Sequence, residues 1–147
     1  MTWLDLLNAQ RVRAHRTSPR EIHDLREVVE RDLKDARLDV LSDDRRFATA
    51  YNAVLQLTKI VIACEGYKVV GLGHHQTTFQ ALELAMGAPV IPMSSYFERC
   101  RRMRNQVDYD MANVASETEA NLLVQKADEF RVMVEEWIRN NHSAHSV

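Results

Sequence analysis

The stretch Arg99–Asp110 reads RCRRMRNQVDYD and carries four arginines, two carboxylates and a tyrosine in about three helical turns. At about 100° per residue, four polar side chains fall on one line of such a helix, with Tyr109 beside them. These four are Arg101, Arg104, Asn105 and Asp108. The neighbouring line is apolar and contains Tyr96, Cys100, Met103 and Val107. The stretch therefore predicts a helix with one face packed on a core and one face that presents charged groups.

Helical periodicity continues towards the N-terminus, where two long core helices are predicted. Ser18 as N-cap, Pro19 in the first turn and a glutamate three residues after the cap form a helix start. Apolar residues follow at spacings of three and four, so this helix is expected to end near Leu41. They are Ile22, Leu25, Val29, Leu33, Ala36 and Val40. Ser42 caps the next helix, and the same spacing carries it to Gly66.

Three further helices are predicted towards the C-terminus. A shorter helix is expected after the loop that precedes His74. Ser94 or Ser95 then caps the Arg-rich helix, and Ser116 begins the final helix with a capping box. Residues 140–147 are expected to form a frayed tail.

The composition favours helices over a many-stranded sheet, because only four Gly and three Pro are available for turns in 147 residues. With 46% apolar residues, the chain can bury the core of one domain. We expect an all-α fold in a single domain over residues 1–147, with an amphipathic N-terminal extension over 1–17. The predicted architecture is an antiparallel bundle of four main helices plus short additional helices.

Charge, cysteine content and hydropathy exclude several classes of protein. The net charge of −2 argues against nucleic-acid binding through overall charge, so any phosphate site must be local. Cys64 and Cys100 lie in apolar helical contexts and indicate neither a disulfide framework nor a metal site. The longest apolar run, Ile60–Cys64, is far too short to span a bilayer, and no signal peptide is recognisable. We expect a cytoplasmic protein that needs no membrane, metal or cofactor.

The residues Arg104–Asp110, RNQVDYD, resemble the Arg-x-x-x-Asp-Tyr-Asp signature of bacterial HEPN-domain proteins. Other segments are similar, in order and spacing, to landmarks of one HEPN branch that often accompanies a nucleotidyltransferase. These segments are Ser18–Glu21, Asp43–Phe47, Ala50–Ala53, Gly66-Tyr67 and Gly73–His75. The resemblance spans about residues 3–138 and so covers nearly the whole chain.

The resemblance implies a bundle of four main antiparallel helices that forms a homodimer, with the Arg-bearing helices at or near the interface. It also implies a nucleotidyltransferase as partner, in a system similar to a toxin–antitoxin pair. Many members are endoribonucleases whose signature is Arg, four to six residues, then His. This chain departs from that signature, because the fifth residue after Arg104 is Tyr109 and no histidine follows on the helix.

The missing histidine weighs against an enzyme. Cleavage of RNA through its 2′-hydroxyl needs a proton acceptor, a proton donor and positive charge on the phosphorane. Arg101 and Arg104 can supply the charge, but an imidazole, which titrates near neutrality, is absent from this helix. We therefore predict that Arg101, Arg104 and Asn105 bind a nucleotide or RNA phosphate. Asp108 and Tyr109 would orient these groups or bind a base or ribose.

Two alternatives stay open. In the first, the chain is a metal-independent endoribonuclease that recruits His74 or His75 as its base, although histidines at a helix start also serve to bond backbone groups. In the second, the chain is a non-catalytic interaction module. Arg104 and Asp108 would then only bridge at i and i+4, while Asn105 and Tyr109 seal a dimer interface.

Overall fold

The computed structural model describes residues 1–71, 74–108 and 112–147, except for the side chains of His74, Val107 and Asp108. Most of the described residues are helical. The six α-helices are Trp3–Asn8 (α1), Pro19–Asp35 (α2), Asp43–Cys64 (α3), His74–Met86 (α4), Ile91–Asp108 (α5) and Glu117–Asn141 (α6). Two short strands, Val12–Ala14 (β1) and Tyr67–Val69 (β2), and the 3₁₀ helices Ala88–Val90 and Ser143–His145 complete the described elements.

Helix α3 lies at the centre of the main core, where it packs against α2, α4, α5 and α6. Phe97 of α5 contacts both Phe130 of α6 and Phe79 of α4, with ring centroids 5.1 and 6.2 Å apart. By length and hydropathy α3 would qualify as a membrane span, the one such helix among the described residues, but 67% of its apolar window is buried within the protein.

The predicted starts of three long helices are confirmed by their caps. The hydroxyl oxygens of Ser18 and Ser42 accept hydrogen bonds of 3.1 Å from the backbone N–H groups three residues on. Ser116 and Glu119 form the reciprocal capping box that their spacing predicts. The β-branched residues Ile60, Val61 and Ile62 near the end of α3 are helical, in line with the apolar spacing that carries the predicted helix to Gly66.

Two predicted helix ends are wrong. Helix α2 stops at Asp35, six residues before Leu41, and Val40, predicted to face the core, is 90% exposed. The Arg37 guanidinium donates to the Leu33 carbonyl over 2.6 Å, which satisfies one of the acceptors left open where the helix ends. Helix α5 begins at Ile91, before both predicted caps.

Ser94 is part of α5 and does not cap it. Its side chain is 3% exposed, and its hydroxyl donates to the Phe79 carbonyl of α4 over 3.5 Å. Ser95 also lies within the helix. The helix starts directly after the 3₁₀ helix Ala88–Val90, so a serine cap is not what sets its first turn.

The all-α prediction missed a small antiparallel sheet. Strands β1 and β2 pair with Val12 opposite Val69 and Ala14 opposite Tyr67. The sheet and α1 enclose a second apolar cluster, made of Leu6, Val12, Ile62 and Ala81. Trp3 stacks on Tyr67 with ring centroids 4.3 Å apart. Each strand has three residues, which is too short for alternation to be recognised in the sequence.

The C-terminal segment also differs from the predicted frayed tail. His142 Nε2 lies 3.1 Å from Glu65 Oε2, and its ring lies 4.9 Å from that of Trp137. Further on, the His145 carbonyl accepts a hydrogen bond of 2.7 Å from Arg26 on α2. The segment is therefore attached to α2 and to the end of α3.

Candidate functional site

A cavity of about 570 Å³ lies beside α3 and is the candidate site. Asn52, Gln56 and Lys59 line it from one face of α3, since their spacing of four and three residues keeps them on the same side. Helix α2 contributes Leu25 and Glu21, and β2 contributes residues 67–69. The volume lies within the range of small-molecule sites, about 300–1,000 Å³.

Two of the predicted site residues meet at this cavity. Arg104 from α5 and His75 from α4 both line it, although they are 29 residues apart in the sequence. Both also approach the ring of Tyr51, with the Arg104 Cζ atom 5.9 Å and the His75 ring centroid 6.4 Å from its centroid. A guanidinium and an imidazole therefore line the same cavity. The sequence suggested such an arrangement only as one of its alternatives.

Tyr51 is a buried residue whose ring lies near both Arg104 and His75. Its side chain is fully buried, and its hydroxyl has no hydrogen-bond partner among the described residues. Burial raises its pKa well above the ordinary value, and the positive charges of Arg101 and Arg104 offset only part of that effect. Tyr51 is therefore neutral at physiological pH and presents an aromatic surface to Arg104.

Arg101 occupies a different environment from Arg104. Its guanidinium pairs with Glu98 one turn earlier, with Nη2 2.6 Å and Nε 2.8 Å from Glu98 Oε1. The hydrogen bond to Glu98 raises the pKa of Arg101, while burial opposes the rise. Arg101 is not among the described residues that line the cavity. Its carboxylate partner already satisfies part of its bonding capacity.

The structure gives less information about the other predicted site residues. Asn105 is partly buried and does not belong to the described cavity lining. The side chains of Asp108 and His74 and the whole of Tyr109 lie outside the described residues. Their predicted roles therefore stay predictions.

A buried polar network on α2 and α3 was missed by sequence reasoning. Asp32 is only 5% exposed, and its carboxylate accepts a hydrogen bond from Asn52 Nδ2 over 2.5 Å and one from Arg31 over 3.1 Å. Gln56 Nε2 donates in turn to Asn52 Oδ1 over 3.3 Å. The available signal was two carboxamides at i and i+4 in the mostly apolar middle of the helix, and both of them line the cavity.

A second missed cluster lies on the same cavity. Glu21 Oε1 accepts a hydrogen bond of 2.7 Å from the Thr17 hydroxyl and lies 2.8 Å from His15 Nε2. The hydrogen bond from Thr17 lowers the pKa of Glu21 most, burial opposes it, and His15 lowers it further. Glu21 is therefore ionised at neutral pH and connects the segment after β1 to the start of α2.

The described lining of the cavity is positively charged, although the chain has a net charge of −2. Lys59, Lys68 and Arg104 bring three fixed positive charges, against the single carboxylate of Glu21. Lys59 and Lys68 form no ion pair with any described residue. Concentrated charge of one sign in a concave surface attracts ligands of the opposite sign, so this cavity suits an anion.

Other chemistries find less support. Burial raises the pKa of both Cys64 and Cys100 to about 11, so neither thiol is a nucleophile at neutral pH. Within residues 1–71, 74–108 and 112–147, no three His, Cys, Asp or Glu side chains are grouped as metal ligands would be.

The chain matches no family model, no curated protein and no solved structure at a significant level. The similarity to HEPN domains therefore depends on the sequence motifs alone and remains a prediction.

Proposed function

We propose that this chain binds the phosphate group of a nucleotide or of RNA in the cavity beside α3, with Arg104 and His75 as phosphate ligands. The proposal is supported by one observation. The guanidinium of Arg104 and the imidazole of His75, from two different helices, line a cavity in which positively charged side chains outnumber carboxylates among the described residues. Arginine offers a planar fork of donors that suits phosphate oxygens, and a histidine can donate one further hydrogen bond. Asn105, which follows Arg104 in the sequence, would contribute to phosphate binding, and Asp108 and Tyr109 would orient these groups or contact the ribose or the base.

The wider setting is supported by the resemblance to HEPN domains. We propose an HEPN-like antiparallel bundle that forms a homodimer and acts in the cytoplasm with a nucleotidyltransferase, in a system similar to a toxin–antitoxin pair. In this setting Arg101, already paired with Glu98, has a secondary role in phosphate binding.

The binding proposal is tested by fluorescence anisotropy with labelled single-stranded RNA. We expect Arg104→Ala to weaken binding at least about tenfold, because a hydrogen bond to a charged group contributes about 1.5–3 kcal/mol. Arg99→Ala is the matched control. Arg99 lies on the same helix with its Cζ atom 5.7 Å from the ring of Tyr96, yet it is not among the described residues of this cavity.

Equal weakening by both variants would show that binding depends on general charge and would overturn the proposal. The mass of Arg104→Ala in solution gives its oligomeric state. This measurement distinguishes phosphate binding from the alternative that the chain is only an interaction module. If the variant loses a dimer that the wild-type protein forms and still binds RNA as tightly as wild type, Arg104 serves an interface, and the phosphate proposal is wrong.

A metal-independent endoribonuclease is the second candidate, and the presence of His75 on the same cavity as Arg104 favours it. The imidazole would take the proton of a ribose 2′-hydroxyl, whose oxygen attacks the adjacent phosphorus. The bond to the 5′-oxygen then breaks, and this oxygen takes up a proton, which leaves a 2′,3′-cyclic phosphate and a 5′-hydroxyl. Arg104 would stabilise the phosphorane.

This candidate predicts RNA cleavage in the presence of a metal chelator, with loss of cleavage in both His75→Ala and Arg104→Ala. Detection of the cyclic phosphate identifies the reaction. Intact RNA after incubation with the wild-type protein would reject the ribonuclease and leave binding as the function. Unchanged cleavage by His75→Ala would reject His75 as the base and leave His74 as the remaining candidate on α4.

A further inference from the structure

Three polar side chains, Asn52, Gln56 and Lys59, lie on the face of α3 that lines the cavity. Lys59 is exposed and the two carboxamides are partly buried, whereas Tyr51, Ala53 and Val54 on the other faces are buried. A carboxamide carries both a donor and an acceptor, so its hydrogen bonds decide which of the two it offers to the cavity.

The orientation of the Asn52 side chain is fixed by Asp32. The Asp32 carboxylate only accepts hydrogen bonds, so the group that faces it over 2.5 Å must be the Asn52 amide nitrogen. Arg31 contacts the other Asp32 oxygen over 3.1 Å and holds the carboxylate in place. The carbonyl oxygen of Asn52 is thereby directed away from Asp32.

The orientation of Gln56 follows from that of Asn52. Asn52 Oδ1 accepts a hydrogen bond of 3.3 Å from Gln56 Nε2, so the Gln56 amide cannot flip without losing this bond. Gln56 keeps its oxygen and its second N–H, and no described residue bonds to either of them. A buried carboxylate thus sets, through one asparagine, which edge a glutamine offers to the cavity that it lines.

The planar Gln56 amide carries a hydrogen-bond acceptor beside a donor. Such a pair can bind a neighbouring donor and acceptor on the edge of a nucleobase. Glutamine and asparagine bind adenine in this way, by accepting from N6 and donating to N7. Unstacked bases of single-stranded RNA are recognised by the same kind of bond to their exposed edges. Gln56 lies about 6 Å further along α3 than Asn52, which follows Tyr51, the residue that Arg104 and His75 approach.

We infer that Gln56, oriented by Asn52 and Asp32, reads the edge of a purine base whose phosphate is bound by Arg104 and His75, so the ligand is an adenine nucleotide. This inference rests on the proposed phosphate binding and adds the class of base. Gln56 contacts the ligand, whereas Asn52 and Asp32 are positioning residues. A cavity of about 570 Å³ has room for a mononucleotide.

Isothermal titration with AMP and with ribose 5-phosphate tests the inference, because the two ligands differ only in the base. We expect the wild-type protein to bind AMP roughly tenfold more tightly, the discrimination typical of one bidentate contact. Gln56→Leu should bring the two dissociation constants to within about twofold of each other. Gln125→Leu, at an exposed position of α6, is the matched control.

The positioning role of Asp32 has its own readout. Asp32→Asn can face Asn52 with either end of its amide, so it should reduce the preference for AMP over ribose 5-phosphate. If this variant does not fold, Gln56→Leu still decides the matter.

Equal affinity of the wild-type protein for AMP and ribose 5-phosphate would overturn the inference and leave phosphate binding intact. So would a Gln56→Leu protein that keeps the full preference for AMP. If the wild-type protein binds RNA but neither small ligand, the inference is wrong and phosphate binding stands. If Arg104→Ala binds RNA, AMP and ribose 5-phosphate as tightly as wild type, the proposed function is wrong and the inference is wrong with it.

Discussion

Glu21 lines the cavity and holds the segment after β1 against the start of α2. Its carboxylate receives a hydrogen bond from Thr17 and pairs with His15, and these contacts lower its pKa below the ordinary 4.5. A lowered pKa in the folded state stabilises the fold above the unfolded value, and this stabilisation is lost as the pH falls through the folded value. Because the Glu21 side chain is 38% exposed, the effect should be small.

We therefore expect the free energy of unfolding of wild type to exceed that of Glu21→Gln by a few tenths of a kcal/mol at about pH 5. The difference should be smaller at about pH 3, below the ordinary pKa of 4.5, because the stabilisation is lost as the pH falls through the lowered folded value. Urea unfolding at both pH values measures it. Glu27→Gln is the control, because Glu27 also faces a histidine on α2 but is 64% exposed and 3.8 Å from its partner. A difference for Glu21→Gln that does not change with pH would contradict this account.

At the scale of elements, α1 and the two strands form a unit that the sequence did not reveal. Residues 1–17 were predicted as an amphipathic extension, and Leu6 of this segment does lie in an apolar cluster. The partners in that cluster, Ile62 and Ala81, are 56 and 75 residues away in the sequence. Periodicity describes one segment at a time, so it cannot identify such distant partners.

This packing predicts that the N-terminal segment contributes to the stability of the whole domain. Leu6→Ala should lower the free energy of unfolding by about 2–5 kcal/mol, because Leu6 is 1% exposed and its removal leaves a cavity. Leu4→Ala on the same helix should change it by less than about 0.5 kcal/mol, since Leu4 is 63% exposed. Denaturant unfolding measures both. Equal effects of the two variants would show that α1 is not packed on Ile62 and Ala81.

For the whole molecule, the sequence predicted what depends on local patterns. The serine caps and the apolar spacing of α3 and α6 are local, and they determined most of the helical architecture. The end of α2 was missed because Val40 continues the apolar spacing after the backbone has left the helix. The cavity was missed for a related reason: Asn52, His75 and Arg104 share it only through packing between helices.

Arg26 connects α2 to α6 and to the C-terminal segment. On α2 it donates to both carboxylate oxygens of Glu135 on α6, over 2.8 and 3.0 Å, and also to the His145 carbonyl. The Arg26 and Glu135 side chains are only 18% and 19% exposed, so water screens the pair weakly. The bidentate geometry adds to its strength.

A double-mutant cycle on Arg26→Ala and Glu135→Ala should therefore give a coupling energy of about 1–2 kcal/mol in urea unfolding. The matched cycle on Arg20 and Asp24, which are 85% and 60% exposed, should give less than about 0.5 kcal/mol. Both pairs involve an arginine on α2, so the comparison isolates burial and geometry. A coupling for Arg26 and Glu135 no larger than that of the exposed pair would mean that this contact does not hold α2, α6 and the C-terminal segment together.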